Sequence, residues 1–398
     1  MSTSPALLDH ARALLPEVVA LRRDLHRHPE LGLTLPRTQA AVTDAIAGLP
    51  LTVTHGTDGL SSIVADLRGG DGPVVLLRAD MDALPMSEDT GLDFASEQTG
   101  AMHACGHDAH TAMLVGAARL LGERLDEVGG TVRFMFQPGE EGFHGARAMI
   151  EQGVLDDPEV DVAFALHVSP NLPTGMVGCR PGPLLASADV FEIRVVGRGG
   201  HASMPHFAND PMPVAAEIVQ ALQTLVTRRI DAFNPAVVTV AKIVGGTTNN
   251  VIPEHVDLTG TVRAVSAHTR ERVREGIERV AAGIAAAHDM TAKVRITPGY
   301  PPTVNHAAPV ELLASVTREV LGEHAYVEMP APVMGAEDFA YVLERRPGAI
   351  AFLGACPAGA DPATAPGCHS NRMTIDEDGL AAGVATYAGL ALQALAGV

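Results

Sequence analysis

Three apolar runs, each ending in side chains that bind metals, constrain this chain more than any other feature. Val74-Val75-Leu76-Leu77 leads into Arg78-Ala79-Asp80-Met81-Asp82, residues 132–137 lead into Pro138-Gly139-Glu140-Glu141, and residues 162–166 lead into His167. Apolar residues at consecutive positions mark strands buried on both faces, the habit of parallel strands covered by helices. Open α/β sheets collect their ligands beyond the carboxyl ends of the strands. Asp80, Asp82, Glu140, Glu141 and His167 are therefore expected to converge on one crevice. Residues 101–110, AMHACGHDAH, precede an apolar helical run and supply a further wall. Cys105 and His107, two apart, point the same way in an extended or tightly turned segment, and thiolate with imidazole suits zinc or a similar divalent ion.

The remaining chain divides by its punctuation. Arg180-Pro181-Gly182-Pro183 and Pro298-Gly299-Tyr300-Pro301-Pro302 are the strongest linker signals. Between them the pattern reads strand (190–196), helix (213–229), strand (237–244), strand (256–265), helix (269–288), strand (292–297). That β-α-β-β-α-β order is the ferredoxin-like arrangement. The expected fold is α/β: a discontinuous domain over 1–183 and 299–398, with a smaller domain inserted at 184–298. After the insert, Val310, Leu313, Val316 and Val320 predict a helix, and residues 349–353 another buried strand.

Charge excludes some partners. With 28 Lys and Arg against 47 Asp and Glu, the net charge of -19 repels phosphate backbones and anionic membranes. An anionic substrate then requires a dedicated positive group. Four cysteines are too few for a disulfide scaffold and indicate a reducing, cytoplasmic setting. The first residues lack the basic and apolar regions of a signal peptide. Residues 379–398 carry no charge but follow Asp376-Glu377-Asp378, so a buried helix is expected there and no membrane span.

The candidate donors are thus Cys105, His107, one of Glu140 and Glu141, His167, and His369 in the loop Gly367-Cys368-His369-Ser370. Five protein ligands exceed one tetrahedral zinc but fit two metals sharing a bridge. Cys105 is the natural bridging candidate, because two adjacent cations hold its proton off.

RADMDALP, MHACGHDAH, FQPGEEG, GARAMIEQG, GRGGHASMPH, GGTTNNVIP, GTVRA, GAEDF and HSNRMTIDE follow one another along nearly the whole chain. They resemble the successive motifs of the metal-dependent amidohydrolase and peptidase family that includes aminoacylases, hippurate hydrolases, certain carboxypeptidases and plant auxin-conjugate hydrolases. The resemblance implies a mixed-sheet, dinuclear-metal catalytic domain and an inserted lid that also joins a homodimer. It implies that Cys105, His107, Glu141, His167 and His369 bind two divalent metals, zinc first, with manganese, cobalt or nickel as alternatives. Glu140 would be general base and acid. His201 would donate a hydrogen bond to the oxyanion in the active site of a partner subunit, and Asn250 and Arg263 would hold the substrate. Arg263 is also a good physical candidate for a carboxylate clamp.

The implied reaction is hydrolysis of an N-acyl amino acid to a carboxylate and a free amino acid. The alternatives are a dipeptidase or carboxypeptidase on the same scaffold, and a catalytically silent protein that uses the pocket for binding alone. Asp80 and Asp82 are assigned to orienting a ligand histidine, with direct coordination as the alternative. His103, Asp108, His110 and His206 stay open between support and packing, and Cys179, Cys356 and Cys368 are read as structural. The motif around His369 departs from the family, with Cys368-His369-Ser370-Asn371 where relatives often show His-His-Ser-Pro.

Overall fold

The apolar runs form strands whose burial on both faces matches their composition. Val74–Asp80 and Thr131–Gln137 are buried at every position and pair in parallel. Val162–Ser169 and Gly348–Gly354 continue the parallel set. The structure, a computed structural model, describes residues 4–397. Ile63–Arg68 and Thr52–His55 add antiparallel strands at one side, and Val177–Cys179 and Tyr326–Glu328 extend the other, giving an eight-stranded mixed sheet. Register brings the carboxyl ends level: Asp80 lies opposite Gln137, Arg78 opposite Ala165, and Phe352 opposite His167. Residues just beyond these ends share one crevice because the strands stop together.

Helices Ser4–Arg27, His107–Gly122, Ala307–Leu321 and Gly379–Gly397 pack on one another and on this sheet through a core of mostly Ala, Val and Leu. Gly379–Gly397 is long and apolar enough to cross a membrane, with a mean hydropathy of 1.4, yet 83% of its apolar window is buried in the protein. Its Tyr387 hydroxyl donates to the Arg78 carbonyl (2.7 Å) and accepts from the Leu166 N–H (2.9 Å). One polar group thus fixes an otherwise featureless helix against two central strands.

The chain divides into two compact units. The first comprises Met1–Gly182, Val304–Pro330 and Tyr341–Val398, within which residues 1–3 and 398 lie outside the described residues. The second comprises Pro183–Thr303 and Ala331–Ala340. Its strands run Ala236–Gly245, His255–Ala264, Asp189–Val196, Thr291–Pro298 across the sheet, every neighbour antiparallel. Asp189–Val196 alternates buried and exposed positions, and Phe191, Ile193 and Val195 join the core beneath helices Pro211–Arg229 and Ala267–Ala287. Both helices start at side-chain caps, Asp210 accepting from the Met212 N–H (3.0 Å) and Ser266 from the Thr269 N–H (3.2 Å), each worth about 1 kcal/mol.

One boundary differs from the sequence expectation. Ala331–Ala340 belongs with the second unit, because the Val333 N–H donates to the Leu184 carbonyl (2.9 Å) and the Ala186 N–H to that of Gly335 (2.8 Å). Nothing in the local periodicity of this segment signals those long-range bonds.

Candidate metal centre

Gly106 sets the geometry of the His-Cys cluster. It adopts φ +86° at the N-cap of His107–Gly122, and a Cβ there would lie 2.3 Å from Val168 Cγ2. Only glycine combines that left-handed turn with so close an approach. The turn brings Cys105 and His107 to the end of the Val162–Ser169 strand, where Cys105 Sγ lies 3.4 Å from His167 Nε2. His167 Nδ1 donates to the Val168 carbonyl (2.8 Å) and His107 Nδ1 to the Asp82 carbonyl (2.8 Å). Each bond fixes a tautomer with Nε2 as the free donor atom, the usual preparation of a ligand imidazole.

The other half of the site hangs on Asp82. Its Oδ1 accepts from the Glu140 N–H (2.8 Å) and its Oδ2 from the Glu141 N–H (3.0 Å), while its carbonyl holds His107. One residue therefore orients a histidine from behind and clamps the backbone of both glutamates. Asp82→Asn leaves a single acceptor oxygen and turns an NH₂ toward an N–H. It is expected to weaken metal affinity by about 10- to 100-fold, as loss of an orienting partner does. Metal titration of the purified variant checks this, and an unchanged affinity removes Asp82 from the role.

Asp80 is committed elsewhere. Its carboxylate takes Arg78 (2.6 Å) and His110 Nδ1 (2.6 Å), and His110 Nε2 in turn accepts from the Val168 N–H (2.8 Å). Burial opposes the Asp80 charge, but Arg78, His107 and His110 hold its carboxyl well below the usual range. Burial brings His110 down to about 4, in keeping with a neutral ring that accepts at Nε2. Asp80, His107 and His110 stand close enough to chelate a cation, yet Asp80 and His110 already satisfy each other.

Within the first unit three further groups of donor atoms each lie within 4.8 Å of one another: Cys105, His107 and His167; Cys105, Glu141 and His369; and His107, Glu140 and Glu141. Cys105 belongs to the first two. A cation fits on chemical grounds, because the buried His107 Nε2 and Glu141 Oε1 have no hydrogen-bond partner among the described residues. Each such orphan costs about 1–3 kcal/mol if nothing satisfies it. His369 Nε2 approaches Glu141 Oε1 to 3.2 Å without hydrogen-bond geometry, and its own φ of +69° is a left-handed conformation seldom seen outside glycine. Burial opposes charge on Glu141, but His369 and His107 lower its carboxyl, and Glu141 raises His369 in return.

The remaining sequence candidates fall into two sets. Asp108 does not face the donors: its Oδ2 takes the buried Arg22 (3.0 Å) and His26 Nδ1 (2.8 Å). Arg22 also binds Glu377 (2.7 Å), so the first turn of the His107 helix is tied to two distant segments. His103 is buried with neither ring nitrogen bonded among the described residues, and burial lowers it to about 3. In the second unit His201 and Asn250 are neighbours across a short ladder, with Val251 opposite His201 and the Ala202 N–H donating to the Asn250 carbonyl (3.0 Å). Arg263 is half-buried on the His255–Ala264 strand, while Asp257, earlier on the same strand, is held bidentately by Arg194. His206 is exposed against Phe207.

Sequence reasoning missed Arg22, His26 and the Cys368 thiol. Arg22 and His26 were detectable, since they continue the buried stripe of Leu7, Ala11, Leu14 and Val18 at helical spacing. Cys368, read as structural, has Sγ 3.9 Å from the Cys105 carbonyl and 3.8 Å from that of Val168. The neighbouring Cys368 thiol, with burial, pushes Cys105 well up, and Cys105 in turn brings Cys368 down to about 6.

His26 gives a pH signature. Burial opposes its charge, but Asp108 and Glu88 raise it from 6.5 to about 9. A folded pKa above the unfolded one stabilises fully below the unfolded value and ceases to do so as pH rises through the folded value. The shift corresponds to on the order of 3 kcal/mol. In urea melts, the gap between the native chain and His26→Asn is expected to narrow by that amount between about pH 6 and about pH 10. A gap independent of pH would remove the ion pair from the account.

A model of peptidase family M20/M25/M40 matches residues 76–393. The chain is 38% identical over 382 residues to N-acetylcysteine deacetylase of Bacillus subtilis (strain 168), covering 96% of this chain and 97% of that protein. It is 39% identical over 399 residues to IAA-amino acid hydrolase ILR1-like 2 of Arabidopsis thaliana, covering 98% and 88%. The crystal structure of Bacillus subtilis YXEP, a dinuclear metal binding peptidase, superposes with a TM-score of 0.85 at 34% identity, covering 97% of this chain and 100% of that one.

Proposed function

The chain belongs to peptidase family M20/M25/M40 and is a metal-dependent amidohydrolase, and on that premise we propose that it hydrolyses N-acyl amino acids to a carboxylate and a free amino acid. The observation that carries the reaction is the donor set, in which Cys105 is common to two groups and a second glutamate adjoins the one that binds. We assign Cys105, His107, Glu141, His167 and His369 to two divalent metals, zinc by the thiolate and imidazole donors, with manganese, cobalt or nickel as substitutes. When bound, the metals act as Lewis acids and lower the pKa of the attacking water.

Glu140, buried and placed by Asp82, takes that water's proton and returns it to the leaving nitrogen. His201 Nδ1 accepts from the Ser203 N–H (3.1 Å), which leaves a neutral His201 with its proton on Nε2, the form that can donate to an oxyanion. Arg263 and Asn250 hold the substrate, Arg263 clamping its carboxylate. The substrate class is supported by two relatives whose names both describe amides of an amino acid.

The β-α-β-β-α-β unit of 184–298, which Ala331–Ala340 joins, is assigned as a ferredoxin-like lid inserted into the catalytic domain, and as the dimer contact. Its strand Ala236–Gly245 ends the sheet and exposes Val237, Ile243 and Val244, an apolar edge suited to a second copy. The four free thiols suit the cytoplasm. The metal-reconstituted enzyme, offered hippurate, N-acetyl amino acids and dipeptides, is expected to show the higher kcat/KM on the acyl compounds. Preference for dipeptides would replace this reading with a dipeptidase.

A further inference from the structure

Cys368 lies beside Cys105 at the edge of the donor cluster, and nothing in the hydrolytic reaction uses it. The His369 N–H donates to the Ala104 carbonyl (2.7 Å), so the chains carrying the two cysteines run side by side. Cys368 Sγ reaches the carbonyls of Cys105 (3.9 Å) and Val168 (3.8 Å), which places it next to the Cys105 residue. Cys105 is buried, whereas Cys368 is partly exposed. Two cysteines side by side are the arrangement that turns a first oxidation into a disulfide.

We propose that Cys105 and Cys368 form a reversible disulfide under peroxide, and that this withdraws Cys105 from the metals and switches the hydrolase off. The second half rests on Cys105 being a metal donor. The chemistry balances with hydrogen peroxide as oxidant. The Cys368 sulfur attacks the O–O bond, giving a sulfenic acid and one water. The Cys105 sulfur then attacks the sulfenic sulfur, its proton leaving with the hydroxyl as a second water. The two thiols lose two electrons and two protons, and the peroxide takes up both. A thiol reductant reverses the bond by exchange.

A disulfide sulfur no longer offers the charge that draws a cation, so the first two donor groups lose their common member. Cys356 and Cys179, the other free thiols, bond among the described residues to carbonyls or to Asn305, and they serve as internal controls.

Metal-loaded enzyme is treated with hydrogen peroxide, then analysed by peptide mapping, metal content and activity before and after reductant. The expected result is a 105–368 cross-linked peptide lighter by two hydrogens, loss of bound metal, and loss of turnover that reductant plus metal restores. Cys368→Ser and Cys368→Ala should escape both the cross-link and the reversible inactivation, while Cys356→Ser should remain sensitive. Absence of the cross-link in the native chain, or reversible inactivation of both Cys368 variants, overturns the proposal. A cross-link formed with full metal retention also overturns the switch, and it identifies the metal-donor role of Cys105 as the failed premise.

Discussion

Glu140→Gln is expected to lower kcat by about 100- to 10,000-fold while leaving metal content unchanged. The substitution keeps the volume and the backbone N–H that Asp82 accepts, so the loop carrying Glu141 stays clamped. What it removes is a carboxylate able to take a proton from water and deliver it to nitrogen. Inductively coupled plasma analysis of the purified variant, alongside turnover of an N-acyl amino acid, separates the two effects. Retained activity would move proton transfer to another group and sink the division of labour between the adjacent glutamates. Loss of metal together with activity would instead place Glu140 among the donors.

His201→Ala is expected to reduce kcat by about 100-fold or more, the usual effect of deleting an oxyanion donor, with little change in metal content. His201 is exposed, and its ring is oriented by Ser203 through both the backbone N–H and the hydroxyl (2.8 Å to Nδ1). A side chain tethered so specifically, yet remote in sequence from every metal donor, suits a role completed by another subunit. The complementation test follows from that assignment. His201→Ala and Glu140→Gln chains, each inactive alone, are mixed under conditions that exchange subunits. Heterodimers contain one site with both residues intact, so activity should reappear. Mixed dimers that stay inactive would confine His201 to its own chain, and full activity of His201→Ala would remove it from the reaction.

Several features were legible without coordinates. Val74-Val75-Leu76-Leu77 and its two counterparts carry the two-sided apolarity of central strands, and the parallel pairing follows from it. The order of strands and helices from residue 190 to 297 came from periods of two and 3.6 with Gly and Pro at the joints. The supporting bonds were not legible. Asp82 sits 58 residues from Glu140 in sequence, and Arg22 sits 86 from Asp108. Local patterns carry no information about which of many carboxylates meets which N–H or guanidinium. Cys368 illustrates the same gap, since a lone cysteine in a loop reads as packing until its neighbour across the fold is known.

Sequence by itself determined the elements, the donor types and the order of the motifs, because periodicity and side-chain chemistry are properties of the local chain. Tertiary structure alone decided which donors share an edge, which carboxylate clamps the glutamates, and which second thiol stands beside Cys105. These depend on strand register and on the left-handed turn at Gly106, and a shift of one residue in either would send the same side chains to different neighbours.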